Sequence, residues 1–108
     1  MRFSLLKYKG KVKKERVLPM KRNETLDQLF EAILTLENID ECYDFFEDAC
    51  TPKEIQNTAQ RFVVAKMLNN KKPYTEIVKA TGASTATISR VNRAINKGFN
   101  LAFTRVEK

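Results

Sequence analysis

The sequence predicts an all-α protein of six helices, on three observations. Apolar residues recur at spacings of three and four in one segment after another, the period of a helix with one buried face. Helix start and stop signals fall between those segments, most clearly at Thr51-Pro52-Lys53-Glu54 and at Ser84. Residues Tyr74 to Lys97, YTEIVKATGASTATISRVNRAINK, spell two short helices around a tight Gly-centred turn, which is a helix-turn-helix.

The elements follow in order. Residues 1–22 mix lysines with scattered apolar residues and keep no sustained period, so they read as a mobile basic arm ahead of a domain over residues 23–108. Such an arm serves as a tether along a DNA backbone, or is a solvated leader that does not belong to the native chain, Met20 being an alternative start. The first helix is expected from Glu24 to Leu36, where Leu26, Leu29, Phe30, Ile33 and Leu34 make an apolar stripe wide enough to suggest deep burial. The second runs from Ile39 to Ala49, with Ile39, Cys42, Tyr43 and Phe46 at helical spacing.

At the third helix, the Thr51 hydroxyl can accept from the Glu54 amide, Glu54 can reach back, and Pro52 suits the first helical position. Ile55, Ala59, Phe62, Val63 and Met67 carry that helix to about Asn69, where Asn-Asn-Lys-Lys-Pro stops it. Ile77 and Val78 then face inward on the first helix of the motif, Gly82 and Ala83 turn, and Ser84 caps a second helix carrying Ile88, Val91 and Ile95. Gly98 ends or bends that helix. A last helix from Phe99 to Val106 gathers Phe99, Ala102, Phe103 and Val106 on one side.

Charge separates along the chain. The 108 residues carry a formal +7, yet the acids concentrate between Asn23 and Glu54, where Lys53 is the lone cation. From Ile55 onward only Glu76 and Glu107 oppose the lysines and arginines, so the carboxy-terminal half suits phosphate and the middle repels it. The outer face of the second motif helix offers Thr85, Ala86, Ser89 and Arg93, which are small, hydroxylic or cationic, as base edges and phosphates in a major groove require. Ser and Thr are mediocre helix formers, so their density there calls for more than helix stability.

Other chemistries are poorly served. With no histidine and only Cys42 and Cys50, a zinc ligand set is incomplete, and the thiols read as reduced groups in a helical core. Neither a Gly-rich phosphate cradle nor a carboxylate pair beside a pocket is present, which speaks against an enzyme. No stretch has the length of a membrane span and no secretory signal opens the chain, so a cytoplasmic location is expected. Two further readings stay open: a helix-turn-helix that docks a protein, with the acidic run from Glu31 to Asp48 meeting a basic partner, and a nucleic-acid binder indifferent to sequence.

The stretches LDQLFEAILTLENIDECYDFFEDACTPKEIQNTAQR and TGASTATISRVNRAIN, the second with the core Ala86, Thr87, Ile88, Ser89, Arg90, resemble the Trp repressor family over residues 24 to 107, and within it the YerC/YecD-type branch. The resemblance implies a six-helix fold, an intertwined homodimer, and a sequence-specific transcriptional regulator, most simply a repressor, on double-stranded DNA. A two-fold dimer implies a palindromic or near-palindromic operator with half-sites roughly 34 Å apart, a spacing borrowed from helix-turn-helix dimers, Trp repressor among them. It also implies DNA contacts from Lys79, Ser84, Thr85, Ala86, Ser89, Arg90, Arg93 and Lys97, with Lys71 and Lys72 as further candidates.

The family's tryptophan pocket maps onto Thr51, Arg61, Arg90 and Val91 as a candidate effector pocket. Val91 and Ala94 stand where the family has a glycine and a serine, and Ala49 and Cys50 where it has leucines. A valine there fills the space of an aromatic ring, since overpacking costs on the order of 1–3 kcal/mol, so tryptophan is not expected as a cofactor. Arg61 then pairs with an acid of the second helix, and Arg90 meets a phosphate. Thr75 and Val78 replace basic DNA-facing positions of the family, which implies an operator other than the Trp operator.

Overall fold

A computed structural model describes residues 20–106. Residues 1–19 of the expected arm lie outside the described residues. The described residues form α1 Glu24–Ile33, α2 Ile39–Ala49, α3 Pro52–Asn69, α4 Tyr74–Thr81, α5 Thr85–Arg93 and α6 Lys97–Val106, with no strand among them. The chain divides into two compact units after Phe46.

In the first unit the Asn23 side chain caps α1 by accepting from the Leu26 amide at 2.8 Å. α1 stops at Ile33, earlier than the apolar pattern predicts. The Thr35 hydroxyl and the Thr35 amide both donate to the Ala32 carbonyl, so the last turn closes tightly and the chain leaves the helix. Asn38 accepts from the Glu41 amide at 2.8 Å and starts α2, where the Phe45 and Phe46 rings meet edge to face.

Deep burial of these apolar stripes is not what the described chain shows. Leu29 and Phe30 are exposed, as are Leu34 at 79%, Ile39 at 72% and Tyr43 at 69%. The thiols are also not in a core: both are free, Cys42 exposed and Cys50 half-buried. Helical periodicity reports which face is apolar, and in this chain α1 and α2 leave much of that face in solvent. Asp27, by contrast, is buried on α1, and its Oδ2 has no hydrogen-bond partner.

The second unit is built on α3. Its capping box forms as the sequence predicts, the Thr51 hydroxyl accepting from the Glu54 amide at 3.2 Å and the Glu54 carboxylate accepting from the Thr51 amide at 2.8 Å. α4, α5 and α6 all pack on α3. The core holds Val64 and Ala65 of α3, Ile77 of α4, Ala83 of the turn, Ile88 and Val91 of α5 and Phe103 of α6. Val64, Ile77 and Ile88 are completely buried, each worth roughly 1.5–3 kcal/mol of transfer free energy. The Phe62 ring sits between Phe99, at 5.4 Å, and Phe103, at 5.1 Å, and fastens α6 to α3.

Candidate nucleic-acid interface

The motif is held by one glycine and by three side chains acting on its backbone. Gly82 ends α4 at φ 75, the left-handed region that residues with a Cβ enter at a cost, and its amide donates to the Val78 carbonyl at 2.9 Å. An added Cβ would meet nothing within 4 Å, so the glycine answers to backbone conformation and not to space. Thr81 donates its hydroxyl to the Ile77 carbonyl at 2.8 Å and accepts from the Ala83 amide at 3.1 Å. The Gln60 amide group of α3 donates to the Thr81 carbonyl at 3.1 Å, tying the turn to the central helix. Ser84 then caps α5 by accepting from the Thr87 amide at 3.1 Å.

Because Ile88 and Val91 anchor one side of α5 in the core, the opposite side is turned to solvent. Ser84, Thr85, Ala86, Arg90 and Arg93 are exposed and Ser89 is half-buried. α5 carries no acid in its first turn and two arginines in its last, an arrangement that opposes neither an approaching phosphate nor its own dipole. Lys79, in the last turn of α4, is exposed as well. The nearby acid Glu76 lies 3.8 Å from the Lys72 ammonium.

The second motif helix is shorter than the apolar spacing predicts. α5 ends at Arg93, Ala94 is extended at ψ 158, and the Asn96 side chain donates to the Val91 carbonyl at 3.1 Å, taking over as partner for the helix end. Ile95 therefore does not join the inward stripe and is 54% exposed. Lys97 opens α6 instead of closing the second motif helix, and Gly98 lies within α6 and does not end its predecessor. Tyr74 and Asn92 add a link from α4 to α5, the amide of Asn92 donating to the Tyr74 hydroxyl at 3.4 Å.

The expected effector residues do not form a common cluster of hydrogen bonds. Thr51 is engaged in its capping box, and Arg61 is exposed and donates to the Thr58 hydroxyl at 3.3 Å, with no ion pair to an acid among the described residues. Arg90 is exposed, whereas Val91 is only 6% exposed and belongs to the core. Gln60, Thr81, Tyr74, Asn92 and Asn96 escaped the reading of the sequence. Gln60 serves a backbone twenty-one residues away and the others hold single turns or link two side chains, and none of these bonds leaves a periodic mark in a chain.

Comparison with known proteins agrees with this geometry. The family model described as Trp repressor protein matches residues 24–106. The uncharacterized protein YerC of Bacillus subtilis strain 168 is 51% identical over 90 residues, 81% of this chain and 86% of that protein. A TrpR-like protein from Eubacterium eligens ATCC 27750, of known crystal structure, is 52% identical with a TM-score of 0.76 over 80% of this chain and 92% of its own. A candidate Trp repressor from Staphylococcus aureus is 48% identical with a TM-score of 0.74 over 80% and 89% of the two chains. This all-α chain, with six helices among its described residues, belongs to the Trp repressor protein family.

Proposed function

We propose that this protein is a sequence-specific DNA-binding transcriptional regulator, a cytoplasmic homodimer that represses by occupying a two-fold symmetric operator. The observation that carries the proposal is the solvent face of α5: exposed hydroxylic, small and cationic side chains on a helix whose other face is fixed in a core. With the amino end of α5 in the major groove, Thr85, Ala86 and Ser89 meet base edges directly or through water, and Ala86 suits a thymine methyl. Ser84, Lys79, Arg90, Arg93 and Lys97 hold phosphates, setting affinity and its salt dependence more than sequence choice.

Exposed apolar residues on α1 and α2 support the homodimer, because a second copy would cover them.

The regulator needs no tryptophan. Val91 already occupies core space beside Ile88, so α5 is held in place by packing that belongs to the chain itself. Calorimetric titration with tryptophan is expected to give no saturable heat; a saturable isotherm would overturn the effector-free reading while leaving DNA binding untouched. For the function as a whole, selection from a random duplex pool at near-physiological salt, without tryptophan, is expected to enrich one two-fold symmetric sequence. Failure to enrich any sequence would remove the regulator reading and point to a protein partner for the motif.

A further inference from the structure

The turn between α3 and α4 contains a residue whose conformation and chemistry disagree. Lys71 has φ 64 and is the non-glycine residue with positive φ among the described residues. Its amide donates to the Leu68 carbonyl at 2.9 Å and the Lys72 amide to the Met67 carbonyl at 3.0 Å, the pair of bonds that defines a Schellman ending with Asn70 as the cap. In that ending the left-handed residue is most often glycine and sometimes asparagine, because a Cβ crowds the backbone there. Here a lysine takes the position, although asparagine stands on its amino side at positions 69 and 70.

A cation kept where the backbone favours glycine calls for a use of its charge. Lys71 is exposed and makes no ion pair among the described residues, whereas its neighbour Lys72 lies 3.8 Å from Glu76. The position leads directly into Pro73, the cap of α4, so the ammonium is carried at the entrance of the helix-turn-helix. A Schellman ending is also rigid, with two backbone bonds fixing where the side chain departs, unlike a lysine on a loop.

We infer that Lys71 is a DNA phosphate contact whose left-handed backbone is retained for its charge, a clamp at the edge of the motif in addition to those on α5. The inference rests on the DNA-binding reading and extends its contact surface to the α3–α4 turn. Conformation and function then pull in opposite directions at one residue. Replacement by glycine relieves the backbone and removes the phosphate partner; replacement by arginine keeps both the strain and the charge.

The test uses the full chain, a mixed-sequence DNA duplex titrated over a range of salt, and urea denaturation without DNA. Lys71→Gly is expected to raise the urea midpoint, to lose affinity several-fold, and to show a log–log salt slope shallower by about 0.9. Lys71→Arg is expected to match the wild type in all three. Wild-type affinity and slope in Lys71→Gly would overturn the inference and leave the regulator reading standing. So would a weaker Lys71→Gly with an unchanged slope, or one with no gain in stability, since the charge or the strain would then be absent from the account. A wild-type chain that fails to bind the duplex at all would overturn both readings.

Discussion

Gly82 and Gln60 decide whether the turn of the motif is stable, and they act by different physics. Gly82 has open space around its Cα and a φ of 75, so Gly82→Ala is expected to cost about 1 kcal/mol through backbone strain, with no clash to repack. A urea midpoint unchanged within error would contradict this. Gln60→Leu keeps the bulk of the side chain but strands the half-buried Thr81 carbonyl, an unmade bond of about 1 kcal/mol. The second variant should also weaken DNA binding beyond its effect on folding, because the turn loses its tie to α3. Equal DNA affinity for Gln60→Leu and wild type at a temperature where both are folded would separate the tie from the interface. Gly82 was legible in the sequence because left-handed turns favour one residue type. Gln60 was not, because its partner lies on another element and no local rule links them.

At the scale of elements, α3 and α5 show how far local signals reach. The Thr51 capping box was legible to the residue because donor, acceptor and proline sit within four positions. The end of α5 was not legible. Ala94 is a strong helix former at the break, Ile95 continues the apolar spacing, and the cap comes from the Asn96 side chain reaching back to Val91. Periodicity therefore extended the helix past its true end and assigned Lys97 to the wrong element. The solvent face of α5, however, follows from Ile88 and Val91 alone, and the prediction for it does not depend on the boundary. Thr85→Asp places a negative charge at an exposed position in the first turn, where the helix dipole favours it by about 0.3–1 kcal/mol. The variant should be folded and as stable as wild type or more so, yet lose DNA binding, because in the proposed pose the same charge faces phosphate. Retained affinity, measured by fluorescence anisotropy, would exclude the amino end of α5 from the groove.

For the whole molecule, the all-α class and the helix-turn-helix were legible, and the burial of α1 and α2 was not. An apolar stripe states that a face is covered by something, without stating whether that cover lies in the same chain. Leu34, Ile39 and Tyr43 remain largely exposed in the described chain, which is the reason a second copy is proposed to cover them. Leu34→Glu is then expected to shift sedimentation from dimer to monomer and to lower thermal stability, since folding and association are linked in such dimers. A wild-type melting temperature independent of protein concentration, together with monomeric sedimentation, would argue against the homodimer.

In the proposed DNA-reading pose, the abrupt stop at Arg93 also limits how much a single protomer can know about a genome. Nine residues at 1.5 Å each make a probe of about 13.5 Å, which spans about four base pairs at ~3.4 Å apiece. A word of four letters recurs by chance about every 256 positions, so one protomer alone would be outnumbered by accidental addresses. Reading the word twice, once on each strand about a two-fold axis, lengthens it to about eight letters and thins chance occurrences to about one in 65,000. In the proposed regulator the short helix makes symmetry a matter of vocabulary: a chain that reads DNA with α5 names a place only by saying its word twice.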